Sequence, residues 1–147
     1  MSKSAARAFL IPGVTESLFA DSLRLQLIEN PGSFLSLGAA LPEQLRFGLF
    51  TAAVALLLVG LLWLALFARL LGPARFVALA LVAGGGMSNL IDRLLYHGRV
   101  TDFLNVGIGS LRTGIFNLAD MAILAGALML VLKRYVPPPP PAASAKP

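Results

Sequence analysis

Residues 47–68, FGLFTAAVALLLVGLLWLALFA, run for twenty-two positions without a charged side chain. At 1.5 Å per residue a helix of that length covers a hydrocarbon core of about 30 Å. Arg46 and Arg69 bracket the run, as residues that reach for the headgroup layer do. The rest of the chain agrees with a lipid environment. Of 147 residues 57% are hydrophobic and only 13% charged, with a mean hydropathy of +0.81. A soluble domain has about half and about a quarter, so a disordered chain is excluded and a lone soluble domain is disfavoured. The net charge of +5 raises the question of nucleic acid. The basic residues are scattered between apolar runs and form no stripe, so no nucleic-acid partner is expected. With no cysteine, the chain has no disulfide framework, no thiol nucleophile, no Cys-ligated metal and no lipid on a cysteine of its own.

Two further apolar runs follow. Gly72-Pro73 breaks the first helix, and residues 76–91 form a second apolar run that carries Gly84, Gly85, Gly86, Ser88 and Asn89 and ends at Asp92 and Arg93. Residues 115–132 are interrupted only by Asn117 and Asp120 and are stopped by Lys133-Arg134. These assign transmembrane helices to 47–68, 74–95 and 115–134. Ahead of them, Leu23, Leu25 and Leu27 alternate with Arg24 and Gln26, the period of a half-buried strand, and Asn30-Pro31-Gly32 ends it as a turn. Residues 1–46 are therefore an extracytoplasmic strand and loop segment, 96–114 an extracytoplasmic loop, and 135–147 a disordered proline-rich tail. Orientation follows from the acids rather than from the Lys and Arg count, which is inconclusive. All seven acids lie on the side of the N-terminal segment or at the membrane edge facing it. The loop carrying Arg69 and Arg75 and the Lys133-Arg134 stop have none, which places them, and the C-terminus, in the cytoplasm.

Chemistry is expected where carboxylates meet apolar surroundings. Asp120 lies inside the third run, where a charge at the bilayer centre costs roughly 2.5–3.5 kcal/mol on the mildest scale. Asn117, three residues earlier, is expected on the same helical face. On the second span Asn89, Asp92 and Arg93 form a narrow polar stripe beside Gly85. Asp102, between Val100 and Phe103, is placed near the membrane surface, and the hairpin of spans can bring it to Asp120. Two carboxylates sharing a proton at a low-dielectric edge are the parts of an aspartic protease, because like charges a few ångströms apart cannot both ionise cheaply. Plainer readings stand beside this one. Asp92-Arg93 can be a helix-end or snorkelling pair, Asn89 and Asn117 can be interhelical hydrogen bonds, and Gly84 to Gly86 a packing face. Lone His97 makes a poor metal site. A proton- or cation-coupled transporter or channel subunit using Asp102 and Asp120 is the rival class, with a non-catalytic remnant behind it.

NLIDR at 89–93, VTDF at 100–103 and FNLAD at 116–120, in this order and spacing, closely resemble the signature of the bacterial signal peptidase II family. ENPGSFLSLG at 29–38 resembles the same family's extracytoplasmic EN-x-G segment. The resemblance covers about residues 3–135 and implies a membrane aspartic endopeptidase of the bacterial inner membrane. Its substrates would be lipid-modified prolipoproteins, cut on the N-terminal side of a diacylglyceryl-cysteine, with membrane lipids around it and no metal or other cofactor. It implies Asp102 and Asp120 as the catalytic pair, and Asn30, Asn89, Arg93 and Asn117 as residues that line or brace the substrate site. The family's first transmembrane helix ends shortly before a Ser/Thr-Lys pair, matched here by Ser2-Lys3. The first helix is accordingly expected to be absent from these residues. The fold expected is an all-α integral membrane protein, a helical bundle of three spans with a small extracytoplasmic β-structure.

Overall fold

A computed structural model describes residues 2–31, 41–66 and 72–135. Arg69, most of the ENPGSFLSLG segment and the proline-rich tail beyond residue 135 lie outside the described residues. The element order is α1 (Ser2–Phe9), β1 (Thr15–Leu18), β2 (Leu23–Asn30), α2 (Glu43–Leu66), α3 (Pro73–Leu95), β3 (Val100–Ile108), β4 (Leu111–Arg112) and α4 (Leu118–Tyr135).

The all-α class expected from the apolar runs does not hold. The four strands form one antiparallel sheet in the order β1-β2-β3-β4, so the architecture is mixed, a sheet joined to helices. Composition explains the strand that was read as loop. VTDFLNVGI is rich in the β-branched and aromatic residues that favour a pleated surface. Its polar positions, Asp102 and Asn105, are buried rather than solvated, so they interrupt the apolar pattern without ending the strand. β2 pairs with β3 through Asn30↔Val100, Ile28↔Asp102 and Leu25↔Leu104, with a register shift between Leu25 and Ile28. Asn30 is thereby carried to the end of β3 that bears Asp102.

Two helices are long and apolar enough to cross a membrane by length and composition, Phe47–Leu64 within α2 and Pro73–Leu95. Leu118–Leu132 is a shorter apolar helix. α2 is apolar all round, and Leu56, Leu57 and Trp63 are exposed on it, as lipid-facing side chains are. α3 starts with Pro73 at its first turn, where the missing N–H costs nothing. It ends in a turn with His97 and Gly98 both at positive φ, 52° and 85°, a conformation that glycine adopts freely. That turn feeds directly into β3. α4 begins at Leu118, three residues into the apolar run, because Phe116 is taken by the sheet: it exchanges backbone hydrogen bonds of 2.8 and 2.9 Å with Leu104.

Helix spacing depends on the glycines. A Cβ at Gly85 would lie 2.5 Å from the Ala119 carbonyl oxygen of α4, and one at Gly126 would lie 2.5 Å from the Ala78 carbonyl oxygen of α3. Gly86 faces Leu58 of α2, whereas a Cβ at Gly84 would meet nothing within 4 Å. The triplet is a packing face used on two sides. Gly85→Ala should therefore destabilise the protein by about 1–3 kcal/mol through overpacking, while Gly84→Ala should leave the thermal midpoint in detergent unchanged or slightly higher. Equal midpoints for the two variants would contradict this packing.

Candidate functional site

Asp102, on β3, is 2% exposed, and both of its oxygens accept hydrogen bonds. Asn117 Nδ2 donates to Oδ1 at 2.7 Å and Asn30 Nδ2 donates to Oδ2 at 2.9 Å. Burial pushes its carboxyl above the ordinary aspartate value; the two amide donors oppose that rise and the neighbouring Asp120 charge adds to it. Val100, Thr101, Asp102 and Phe103 are all buried, so this end of β3 is covered on both faces.

Asp120 reaches the same place from α4. Asn117 is the residue before the helix rather than part of a helical face. Its Oδ1 accepts from the Ala119 and Asp120 backbone N–H groups at 2.7 and 3.3 Å. Asp120 Oδ2 in turn accepts the Asn117 backbone N–H at 3.0 Å. This reciprocal arrangement is a capping box, and it satisfies donors that a helix start leaves open. The other Asp120 oxygen accepts from Asn89 Nδ2 of α3 at 2.8 Å. Asn117 Nδ2 also lies 3.3 Å from Asn89 Oδ1. One fully buried asparagine thus caps α4, contacts Asp102 and meets Asn89.

Five of the six residues singled out in the sequence, Asn30, Asn89, Arg93, Asp102 and Asp120, line one cavity of about 560 Å³. The sixth, Asn117, is buried directly behind it at 0% exposure. The remaining wall is apolar and is built mainly from α4 and the segment before it: Ile115, Phe116, Ile123, Leu124 and Ala127. Arg93 Nε is buried there with no hydrogen-bond partner among the described residues.

Several of the contacts that hold the site are not legible in the sequence. Asp92 does not pair with Arg93. Its Oδ2 accepts the Thr101 backbone N–H at 2.8 Å and lies 3.1 Å from Lys3 Nζ, with both side chains buried. α1 carries a second cation, Arg7, whose Nε donates to Thr101 Oγ1 at 2.9 Å. Its guanidinium lies 3.6 Å from the centre of the Tyr96 ring and pairs with Glu29. Glu29 is held below the usual carboxylate range, first by Arg99 and then by Arg7. The spacing of Lys3 and Arg7, four residues apart, was the signal available for a helix with one basic face.

The sequence profile described as signal peptidase (SPase) II matches residues 1–136. A lipoprotein signal peptidase of Syntrophus aciditrophicus strain SB is 42% identical over 106 residues, covering 71% of this chain and 65% of that protein. One from Mycobacterium leprae strain Br4923 is 29% identical over 137 residues, covering 90% and 63%. One from Citrobacter koseri is 35% identical over 126 residues, covering 85% and 75%. The chain thus spans under two thirds of the length of the first two relatives. A bacterial membrane enzyme solved by the in meso method at 2.3 Å resolution superposes with a TM-score of 0.75 at 22% identity, over 90% of this chain and 77% of that one. At that identity the likeness speaks for the fold alone.

Asn117→Ala should lose an N-cap, typically about 1 kcal/mol, and a donor to a buried carboxylate, about 1.5–3 kcal/mol. Thermal unfolding in detergent should register a loss of at least about 2 kcal/mol from the two together. Asn117→Ser keeps a capping oxygen and should recover only part of it. A midpoint for Asn117→Ala equal to that of the unaltered protein would contradict the bridging role.

Proposed function

The chain belongs to the signal peptidase II family, and from that membership we propose that it is a membrane aspartic endopeptidase, removing signal peptides from prolipoproteins whose cysteine carries a diacylglyceryl group. The observation that carries the reading is the approach of Asp102 and Asp120 to one cavity from two different elements. Every hydrogen bond described to either carboxylate comes from a neutral amide or a backbone N–H.

With one proton shared between the carboxylates, the ionised one takes a proton from water as the water oxygen bonds to the scissile carbonyl carbon. The protonated one gives its proton to the carbonyl oxygen. The tetrahedral diol then collapses. The carboxyl that took up the water proton returns one to the leaving nitrogen, the other reclaims one from the diol, and the C–N bond breaks. The pair ends with one proton, as it began, and titrates as a unit, so neither Asp is tied to one role. Arg93 places positive charge beside the pair, Asn30, Asn89 and Asn117 orient the carboxylates, and the apolar wall along α4 suits acyl chains. The protein is a membrane protein. We place it in the bacterial inner membrane with the sheet and the pair on the outer side, surrounded by membrane lipids, and with the C-terminus in the cytoplasm.

The transporter reading is disfavoured by position. A coupling acid belongs near the bilayer midplane, whereas Asp120 is the third residue of α4 and Asp102 lies on a strand.

Asp102→Asn and Asp120→Asn should each abolish cleavage of a lipidated prolipoprotein, followed by gel shift at matched membrane levels. Substantial turnover by either variant would overturn the aspartic mechanism. The pH profile should show an alkaline limb displaced above the ordinary aspartate value. Asp102 is raised, so the pair keeps its shared proton as the pH rises past the ordinary value and loses it, with activity, only through the higher one. Loss of activity on raising the pH through the free aspartate value would contradict the geometry.

A further inference from the structure

Asn89 faces Asp120 with the donating end of its amide, and the structure shows what prevents the reverse. Its Oδ1 accepts from Lys3 Nζ at 2.6 Å and lies 3.3 Å from Asn117 Nδ2, while its Nδ2 donates to Asp120 Oδ1 at 2.8 Å. A flipped amide would set its NH₂ group against the Lys3 ammonium, which has three donors and no acceptor, and would set its oxygen against the Asp120 carboxylate. Lys3 is 7% exposed. It also lies 3.4 Å from the Ser88 carbonyl oxygen and is balanced by Asp92 at 3.1 Å. The three donors of the ammonium thus face three oxygens, on Ser88, Asn89 and Asp92.

We propose that Lys3 is a positioning residue for Asp120: it locks the Asn89 amide in one orientation, so that a neutral donor always faces that carboxylate. The proposal rests on the assignment of Asp102 and Asp120 as the working pair. Lys3 acts one amide removed from the carboxylate and touches neither substrate nor the reacting atoms. The distance has a use, because an ammonium bonded directly to Asp120 would favour the doubly ionised pair. A neutral amide in between supplies the hydrogen bond with less of the charge. The charged groups around Asn89 are Lys3 from α1, Asp92 and Arg93 from α3, Asp102 from β3 and Asp120 from α4.

Lys3→Met alone strands Asp92 without its buried counter-ion and can fail to fold. The informative variant is Lys3→Met/Asp92→Asn, which removes both charges and keeps an acceptor for the Thr101 N–H, with Asp92→Asn alone as its reference. Relative to that reference the double variant should insert normally and lose about tenfold or more in kcat, a loss of the size expected from misplaced groups. KM for the lipidated prolipoprotein should change little, and the alkaline limb of the profile should move. Independently of activity, selective ¹⁵N-asparagine labelling in detergent should show an Asn89 side-chain amide proton displaced from the free-asparagine shift in the unaltered protein and the reference, because it is bonded to Asp120. In the double variant that displacement should shrink or the signal broaden. If the double variant matches the reference in kcat, alkaline limb and Asn89 shifts, the positioning role is overturned. If the unaltered protein cleaves no prolipoprotein, the proteolytic reading falls on its own, and the Asn89 signals still decide whether Lys3 locks the amide.

Discussion

A buried carboxylate must be given hydrogen bonds or it will not stay charged, and placing a second carboxylate beside it makes the demand harder to meet. Much of the site follows from how that demand is met. Asp102 takes one amide donor on each oxygen, and Asp120 takes one amide and one backbone N–H. Asn117 is central because it serves both. Its side-chain NH₂ turns to Asp102 while its carbonyl caps the helix that carries Asp120. The relative position of strand and helix is thereby set by one buried side chain, and the Phe116 bridge to Leu104 repeats the constraint in the backbone.

The third donor, Asn89, comes from another helix and depends on packing. α3 and α4 approach closely because Gly85 and Gly126 leave room for the facing backbone. Side chains at either position would push the helices apart, and a 2.8 Å bond from Asn89 to Asp120 does not survive a shift of an ångström or more. Gly85 and Gly126 are therefore tied to the Asn89–Asp120 contact through distance, although neither lines the cavity.

The sequence made legible what depends on local pattern. Three apolar runs gave α2, α3 and α4, and the alternation of leucines gave β2 almost to its ends. Asp120 stands out because a carboxylate among apolar residues is costly without partners, and the six candidate residues lie together around one cavity. The unread parts depend on long-range partners. β3 is hidden because Asp102 and Asn105 break its apolar run, and nothing local reveals that both are buried. Asn117 resembles part of a helical face because the apolar run continues back to residue 115. The N-x-x-D pattern that marks a cap was present all the same. Lys3 meets Asn89 and Asp92 across more than eighty residues of chain, a pairing no local pattern encodes.

The charges around the pair are matched to the proposed chemistry. Lys3 and Arg93 bring two positive charges to this region, and Asp92, Asp102 and Asp120 bring three negative ones. With every group in its ordinary state the cluster is negative by one, and a single proton on the pair makes it neutral. A low-dielectric site penalises unbalanced charge far more than water does, so the singly protonated pair is the state this arrangement favours. A second cation bonded directly to a carboxylate would remove that preference and leave both acids ionised. Asparagines provide hydrogen bonds without shifting the balance. Seen this way, the neutral donors around the pair and the placing of Lys3 behind Asn89 answer one requirement: hold two carboxylates firmly while leaving one proton between them.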